Sequence, residues 1–455
     1  MNLKQALAGS AKPLYLLLVI IMLAGALAAC GDSSPNVDTS QLEVITASNP
    51  VKVSPNAAQT TTDAAAATTT TADQTTAVAS TTNVATNSTE TVAPTTTNTS
   101  TTSALSTSVA TTTTAVAPVT TTVTTVATTK AAVSVPAIKS GVLLSPMYWE
   151  PQTWNNCAPM SIIFALSYYG VKLTQKDMGH AMRPNDGDKH VTPEELVAAI
   201  QQQGFKTVAR ENGNLDTLRK FLSAGIPVIT QQWLHDPDDI GHYRVARGYD
   251  LSKNTFIYND SMDRHAETVV PAELEDKLWK GFDRRYFPVY TAAQEPLAMA
   301  ILAGDANPAA NLQNALTAAH QATETKPQDI DAWRNLGYLN YAMGDYKAAI
   351  GVWEQHLTKM LTPSENGPYN RFMWYQLWPM ESYNKLGNYQ QVLKIAPNEI
   401  DHAKVFAEAR YQYAIALVNT NQRNEAITQL KTSLTDDSNF KPGRAMLTKL
   451  GVSVS

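Results

Sequence analysis

The densest run of apolar positions in the middle of the chain lies between Cys157 and Gly170. Pro159 just inside its start and Gly170 just past its end are typical of helix boundaries. Because the residues between them leave almost no polar face, the pattern predicts a helix at the buried centre of a domain. Cys157 would lie in the first turn, where unpaired backbone N–H groups and the positive end of the helix dipole both favour a thiolate.

The positions that follow have first a helical and then a strand period. Helices are predicted over residues 175–182, 192–204 and 214–225. Thr174 would cap the first of these, and the capping box Thr192-Pro-Glu-Glu195 would open the second. Strands are predicted over residues 205–209, 226–233, 242–249 and 254–259. Helices followed by strands indicate a helical lobe packed on an antiparallel sheet, an α+β domain that we place over residues 141–290.

From residue 291 onward the pattern predicts helices only. Residues 331–350 fit the tetratricopeptide signature, and the turn Gly344-Asp-Tyr-Lys recurs as Gly387-Asn-Tyr-Gln and, more loosely, as Asn421-Gln-Arg-Asn. We therefore expect an all-α tetratricopeptide solenoid over residues 291–455. Such repeats usually bind a peptide or protein partner in a concave groove, and the alternative is a structural cap that only stabilises the preceding domain.

The first thirty residues have the pattern of a targeting segment. Lys4 and Lys12 supply a positive region, and residues 14–27 form an apolar core that is short for a membrane span. The sequence Leu27-Ala-Ala-Cys30 resembles a bacterial lipobox. This resemblance implies a signal peptide over residues 1–30, lipid on the sulfur of Cys30, and an extracytoplasmic protein anchored to the bacterial membrane. The alternatives are an ordinary secretory signal and a retained anchor.

Residues 31–140 are dominated by Thr, Ala, Val and Ser and carry few charges. Hydroxyl side chains compete for backbone hydrogen bonds, and no periodic apolar face offsets the entropy cost of ordering. The composition predicts a disordered stalk, with a β-rich fibrous segment as the alternative.

Charge and cysteine content exclude one class of function and favour another. The chain of 455 residues has a net charge of −5 and no strong basic block, so we expect no nucleic-acid partner. It contains two cysteines. If Cys30 carries lipid, Cys157 has no partner for an internal disulfide, and a lone thiol outside the cell favours a chemical role.

Two predicted strands carry polar residues at ends that a hairpin would bring together. His242 begins one strand and Asp260 follows the next. Because an antiparallel hairpin places the start of one strand beside the end of the other, the two side chains are expected to be neighbours. Cys157 would be the nucleophile, His242 the general base and then acid, and Asp260 the group that fixes the imidazole tautomer. The amide of Gln152 would help to bind an oxyanion.

These residues also have simpler interpretations. Cys157 could be a small buried hydrophobe, and Asp260 an ordinary turn aspartate. The pair His235 and His242 lacks regular ligand spacing, so we expect neither a metal nor a cofactor. Solvated or surface hydrogen-bonded side chains are expected for the other histidines of the domain, which are His180, His190, His235 and His265.

Three motifs together resemble one peptidase family. They are Gln152…Asn156-Cys157-Ala-Pro with Tyr168-Tyr-Gly170, Gly241-His-Tyr-Arg-Val-Ala-Arg-Gly-Tyr-Asp250, and Tyr258-Asn-Asp260. The domain is similar to the bacteriocin-processing, or double-glycine, cysteine peptidases of family thirty-nine. The resemblance covers about residues 141–290 and implies a papain-like fold with Gln152 as oxyanion donor. Ala158 departs from the usual Gly: a methyl group there could crowd the substrate, but the backbone N–H that completes the oxyanion hole is retained.

The leading interpretation is therefore a membrane-anchored cysteine peptidase that hydrolyses peptide or amide bonds through a thioester. One alternative is a non-catalytic peptide-binding scaffold that uses the same cleft. Another is an acyltransferase of the transpeptidase or transglutaminase type, acting on the cell wall.

Overall fold

The structure, a computed structural model, describes residues 39–47, 133–237, 240–361 and 371–454. The predicted signal peptide with Cys30 and most of the predicted stalk lie outside these ranges. All the described residues belong to one compact unit. Within them, no helix is both long enough and apolar enough to cross a membrane.

The N-terminal part of this unit contains helices and a sheet. In chain order its elements are β1 (Glu43–Ile45), β2 (Gly141–Leu144), α1 (Cys157–Tyr168), α2 (Gln175–Met182), α3 (Pro193–Gln202), α4 (Leu215–Ser223), β3 (Val228–Trp233), β4 (Gly241–Asp250), β5 (Thr255–Asn259), β6 (Thr268–Pro271), α5 (Ala272–Lys280) and β7 (Tyr286–Pro288). The predicted caps Thr174 and Thr192 accept hydrogen bonds from the first turns of α2 and α3, and Asn214 has the same role at α4.

The described strands form one seven-stranded sheet, in which β1, β2, β4, β3 and β7 lie in that order and β5 and β6 continue from β4. Every pairing is antiparallel except that of β1 with β2. The α+β architecture is therefore confirmed. Helix α1 packs against β4, and its residues from Ala158 to Leu166 are buried, as the apolar pattern predicted.

The stalk prediction needs a correction at both of its ends. Residues 43–45 form β1, which pairs with β2, and the Lys139 ammonium lies 2.6 Å from the Glu43 carboxylate. Leu42 is buried in a small cluster with Leu143 and Ile257. These residues form a strand because the edge of β2 is available for pairing, although the tract as a whole is rich in Thr and Ala.

The strand predicted over residues 205–209 is not present. Only isolated bridges occur there, joining Lys206 to Tyr290 and Arg210 to Tyr286. The backbone of this segment pairs with the last residues of the domain at two points, too few for a continuous ladder.

The C-terminal part is helical throughout its described residues. Its helices are α6 (Glu295–Leu302), α7 (Pro308–Thr325), α8 (Ile330–Ala342), α9 (Tyr346–Val352), α10 (Phe372–Tyr375), α11 (Trp378–Lys385), α12 (Tyr389–Ala403), α13 (Ala407–Asn419), α14 (Arg423–Asp436) and α15 (Lys441–Lys449). A π-helical turn, Trp353–Leu357, extends α9 and runs into a short helical turn, Thr358–Met360.

The recurring turns of the sequence share one backbone geometry. Gly344 between α8 and α9, Gly387 between α11 and α12, and Asn421 between α13 and α14 all have positive φ, of 84°, 72° and 64°. A residue in this conformation ends a helix and reverses the chain, and Gly and Asn adopt it most readily. The same helix–turn–helix geometry therefore occurs three times in the C-terminal part.

Candidate active site

His242 and Asp260 meet at the open end of the β4–β5 hairpin. Val245 of β4 pairs with Asn259 of β5, so the next residues, Arg244 and Asp260, lie opposite one another. His242 lies two residues beyond Arg244 and therefore diagonally across from Asp260. The His242 Nε2 atom lies 2.7 Å from the Asp260 Oδ1 atom, and both residues are almost completely buried. The neighbour relationship predicted from the two strand ends is present. Because Nε2 faces the carboxylate, Nδ1 is the nitrogen left for the thiol.

Asp260 is held by other groups in addition to His242. The Arg244 Nε atom lies 3.3 Å from its second carboxylate oxygen, and the backbone N–H of Met262 donates to Oδ1. The indole of Trp149 donates to the backbone oxygen of Asp260 and fixes the end of β5. Burial alone would raise the pKa of Asp260, but His242 and Arg244 hold it below its usual range, so the carboxylate is ionised.

Electrostatics favour a charged imidazole. Burial alone would lower the pKa of His242, but the Asp260 carboxylate and the Cys157 thiol raise it to about 9. The imidazolium is therefore the main form at neutral pH, and Asp260 is the largest reason for it.

Cys157 is the first residue of α1 and is half-buried. Its sulfur interacts with the His242 side chain and with the backbone N–H groups of Tyr243 and Ala158. Burial alone would raise the pKa of the thiol, but these partners lower it below the usual value. Ala158 itself is completely buried.

Gln152 is anchored by Ser261. The Ser261 hydroxyl donates to Oε1 of Gln152 at 2.6 Å, and the Gln152 backbone N–H donates to the Ser261 oxygen at 2.9 Å. Ser261 directly follows Asp260, so the loop that carries the carboxylate also orients the amide. The Gln152 oxygen is occupied, which leaves the NH₂ group available to donate.

The turn before Cys157 contains a polar network that sequence analysis did not anticipate. Asn156 bonds through its side chain to Thr153, Gln175 and Arg183. Arg183 is 3% exposed and follows α2 directly. A cavity of ≈ 370 Å³ lies beside this turn, and Thr153, Asn156 and Gln175 contribute to its lining. Because Arg183 and Asn156 are distant in sequence and separated by two helices, α1 and α2, no local pattern pointed to their contact.

Arg244 was missed for a different reason. It lies two residues after His242, on the same face of β4, and faces Asp260 and the ring of Tyr258. The alternation of side chains along a strand could have identified it as a third member of this face.

The prediction for His190 is wrong. The side chain is buried, and among the described residues neither ring nitrogen has a hydrogen-bond partner. Burial lowers the pKa of His190 to about 4, so the ring is neutral. It packs edge-on against Tyr375 and Phe406 of the C-terminal helices, which cover a loop that the sequence made appear solvated. His180, His235 and His265 are exposed, as expected.

The C-terminal helices also contact the strand that carries His242. Tyr375 at the end of α10 packs against Gly241, where a Cβ atom would lie 3.0 Å from its ring. The same ring contacts Trp233 and Phe282. The first residue of β4 is therefore enclosed by side chains of both parts of the unit.

Comparisons with known proteins agree with the geometry of the N-terminal part. Residues 144–287 match the sequence profile described as "Peptidase_C39 like family". No curated protein matches the chain. The match supports a peptidase domain, suggests a cysteine peptidase and implies a peptide substrate.

Solved structures with similar folds include three peptidases. A putative C39-like peptidase from Bacillus anthracis is 18% identical, with 34% of this chain and 98% of that chain covered and a TM-score of 0.30. A double glycine motif protease from an AMS/PCAT transporter, solved with a leader peptide, is 14% identical over 33% and 94%, with a TM-score of 0.26. The peptidase domain of Streptococcus ComA is 18% identical over 31% and 96%, also with a TM-score of 0.26.

Proposed function

We propose that this protein is an extracytoplasmic cysteine peptidase, anchored by lipid at Cys30, that cleaves peptide or amide bonds with Cys157 as nucleophile. The observation that carries the proposal is the buried pair of His242 and Asp260, 2.7 Å apart, beside a thiol whose pKa is lowered. A cysteine that is merely packed in a core has no reason to face a charged imidazole.

The reaction follows from the positions of these groups. The Cys157 thiolate attacks the carbonyl carbon, forming a C–S bond and a tetrahedral oxyanion, to which the Gln152 amide donates. His242 gives its proton to the leaving nitrogen as the C–N bond breaks, which leaves a thioester on Cys157. Water then attacks this thioester while His242 takes its proton, and the acid product and the ion pair are released. Asp260 holds the imidazole in orientation throughout.

The remaining parts would determine where the peptidase acts. A lipid on Cys30 would tether the chain to the membrane, with the Thr- and Ala-rich segment as a spacer. The three helix–turn–helix units support a tetratricopeptide-like role for the C-terminal part, namely binding a peptide or protein partner.

The test is to trap the acyl-enzyme. The full chain is purified in detergent with Cys30→Ser, so that Cys157 is its single thiol, and is incubated with a peptide library. Mass spectrometry of the quenched protein should find an acyl group on Cys157, and the products should be hydrolysed peptides. Cys157→Ala is the matched control and should form no adduct.

Other outcomes identify the alternatives. Transfer of the acyl group to an added amine in preference to water would indicate an acyltransferase. Peptide binding with neither adduct nor cleavage would refute the peptidase and leave a binding scaffold.

A further inference from the structure

Arg183 has an unusual set of partners for a buried arginine. Its guanidinium donates to the backbone oxygens of Trp154, Asp186 and Asp188 at 3.3, 3.0 and 3.0 Å, and to the side-chain oxygen of Asn156. All four acceptors are carbonyl oxygens. The side chain therefore connects the loop after α2 to the two sides of the turn that leads into Cys157.

Asn156 occupies the N-cap position of α1 but does not cap the helix. Asn is among the strongest N-cap residues, because its side-chain oxygen usually accepts a hydrogen bond from the first turn. Here no side-chain cap hydrogen bond is formed. The Oδ1 atom is bonded to Arg183, and Nδ2 donates to Thr153 and Gln175 at 2.8 and 3.2 Å.

An uncapped first turn suits the chemistry of Cys157. The backbone N–H of Ala158 interacts with the sulfur and lowers the pKa of the thiol. A carbonyl oxygen placed over the first turn would compete for this N–H, because the next residue, Pro159, has none, and would bring a partial negative charge next to the thiolate. The direction in which the Asn156 amide points therefore affects the nucleophile.

We infer that Arg183 is a positioning residue for the nucleophile: it holds the Asn156 side chain away from the N-terminus of α1, so that the backbone N–H of Ala158 remains open to the Cys157 thiolate. This inference rests on the proposed function. It assigns Arg183 no contact with substrate.

The charge of Arg183 acts in the same direction. Burial lowers the pKa of Arg183, whereas the charges of Asp188, Cys157 and Asp186 raise it. The guanidinium and the thiolate thus stabilise one another. Lys189 is a further cation near Arg183, and burial lowers its pKa, with Arg183 and Arg371 acting in the same direction.

Asp188 faces Arg183 and titrates close to neutrality. Burial raises the pKa of Asp188 to about 7, and the charges of Glu195 and Asp437 act in the same direction. Measurements on Arg183 are therefore best made near pH 6, where Asp188 is mostly protonated and its charge does not vary between samples.

The experiment measures alkylation of Cys157 by iodoacetamide as a function of pH in the full chain with Cys30→Ser. Arg183→Gln should move the rise in reactivity to higher pH and slow alkylation at pH 6 by about tenfold, which corresponds to about one unit in the thiol pKa. The decisive comparison is a double-mutant cycle: in an Asn156→Ala background, which has no amide to swing over the helix, only the loss of the Arg183 charge remains, so Arg183→Gln should have a smaller effect.

A matched control is Arg210→Gln. Arg210 is also buried, and its guanidinium donates to the backbone oxygens of Ala209, Asp305 and Ala306, away from Cys157. Arg210→Gln should lower the melting temperature and leave the pH profile of Cys157 alkylation unchanged. A purely structural role for Arg183 predicts the same behaviour for both arginines.

Gly179→Ala tests the inference if Arg183→Gln does not fold. A Cβ atom at Gly179 would lie 3.0 Å from Nδ2 and 3.1 Å from Oδ1 of Asn156, so it displaces the amide while Arg183 stays in place. Gly179→Ala should therefore slow alkylation of Cys157 at pH 6, as Arg183→Gln does. If the starting chain lacks His242-dependent reactivity at pH 6, the proposed function fails. If it has that reactivity but Arg183→Gln has an unchanged profile, or has the same effect in both backgrounds, only the inference on Arg183 is refuted.

Discussion

Ser261 donates its hydroxyl hydrogen to the side-chain oxygen of Gln152 at 2.6 Å. This contact fixes which end of the amide is free: the oxygen is bound within the protein, and the NH₂ group remains for an oxyanion. The residue that orients the donor is the neighbour of Asp260 in the chain. The same short loop therefore positions both the Asp260 carboxylate and the amide of Gln152, the expected oxyanion donor.

Gln152→Ala should therefore separate two properties of the site. Hydrolysis should fall roughly ten- to a thousand-fold, because the donor acts on charge that develops only in the transition state. Alkylation of Cys157 by iodoacetamide should stay nearly constant, because it involves no oxyanion. Ser261→Ala should give a smaller loss of hydrolysis, since the amide stays but is less well oriented. Equal losses of alkylation and hydrolysis in Gln152→Ala would mean that the turn had collapsed.

The ion pair predicts a specific dependence on pH. The thiolate forms as pH rises through the lowered pKa of Cys157, and the imidazolium loses its proton near the His242 pKa of about 9. Both charged forms coexist between these limits, so kcat/KM should be high across neutral pH and fall above about pH 9. Near pH 6 the thiol should react with iodoacetamide much faster than glutathione does, since a free thiol is under about one per cent ionised there. His242→Ala should abolish this difference.

Asp260→Asn should move the alkaline limit. The Asp260 carboxylate contributes most to the raised pKa of His242, ahead of Cys157, so its removal should shift the fall in kcat/KM to lower pH by about one unit or more. The raised His242 pKa also stabilises the fold at low pH: this contribution is complete below about 6.5 and is lost as pH rises through about 9. The melting temperature of the starting chain should thus decline over this range, and less so in Asp260→Asn. An unchanged alkaline limit would show that another group controls it.

Anchoring at Cys30 is a prediction that the described residues do not reach. Metabolic labelling with a fatty-acid analogue should mark the starting protein, and Cys30→Ala should be unlabelled and released or mislocalised. Its peptidase activity should be unchanged in detergent extracts, because Cys30 takes no part in the chemistry. Equal labelling of both proteins would refute the lipid anchor.

The sequence was most informative where local rules decide the structure. The capping residues Thr174 and Thr192 and the apolar run after Cys157 depend on neighbours within one helical turn or one helix face, and these elements form as predicted. The approach of His242 to Asp260 was predictable because it needs only a hairpin between two adjacent strands.

The predictions that failed concern residues whose surroundings depend on contacts between distant segments. His190 appears solvated in its polar loop, but Tyr375 and Phe406 from the helical part bury it. Residues 43–45 become a strand because β2 offers an edge to pair with, which no window of sequence reveals. The Arg183–Asn156 contact was missed for the same reason.

The last prediction concerns a chain that ends at Tyr290, without the helical part. Trp233 and Phe282 are buried in one cluster with Leu278, and Tyr375 packs against it. Asn311 satisfies both the N–H and the C=O of Glu211 at 3.0 Å. Exposing two aromatic side chains costs on the order of 3–6 kcal/mol, so the melting temperature should fall by about 10 °C or more. Asn311→Ala in the full chain is the matched control: it removes the two hydrogen bonds alone and should cause a smaller decrease. If the shortened chain melts like the full chain and loses only its action on large substrates, the helical part binds partners without stabilising the peptidase. If it unfolds, the helical part is a required cap.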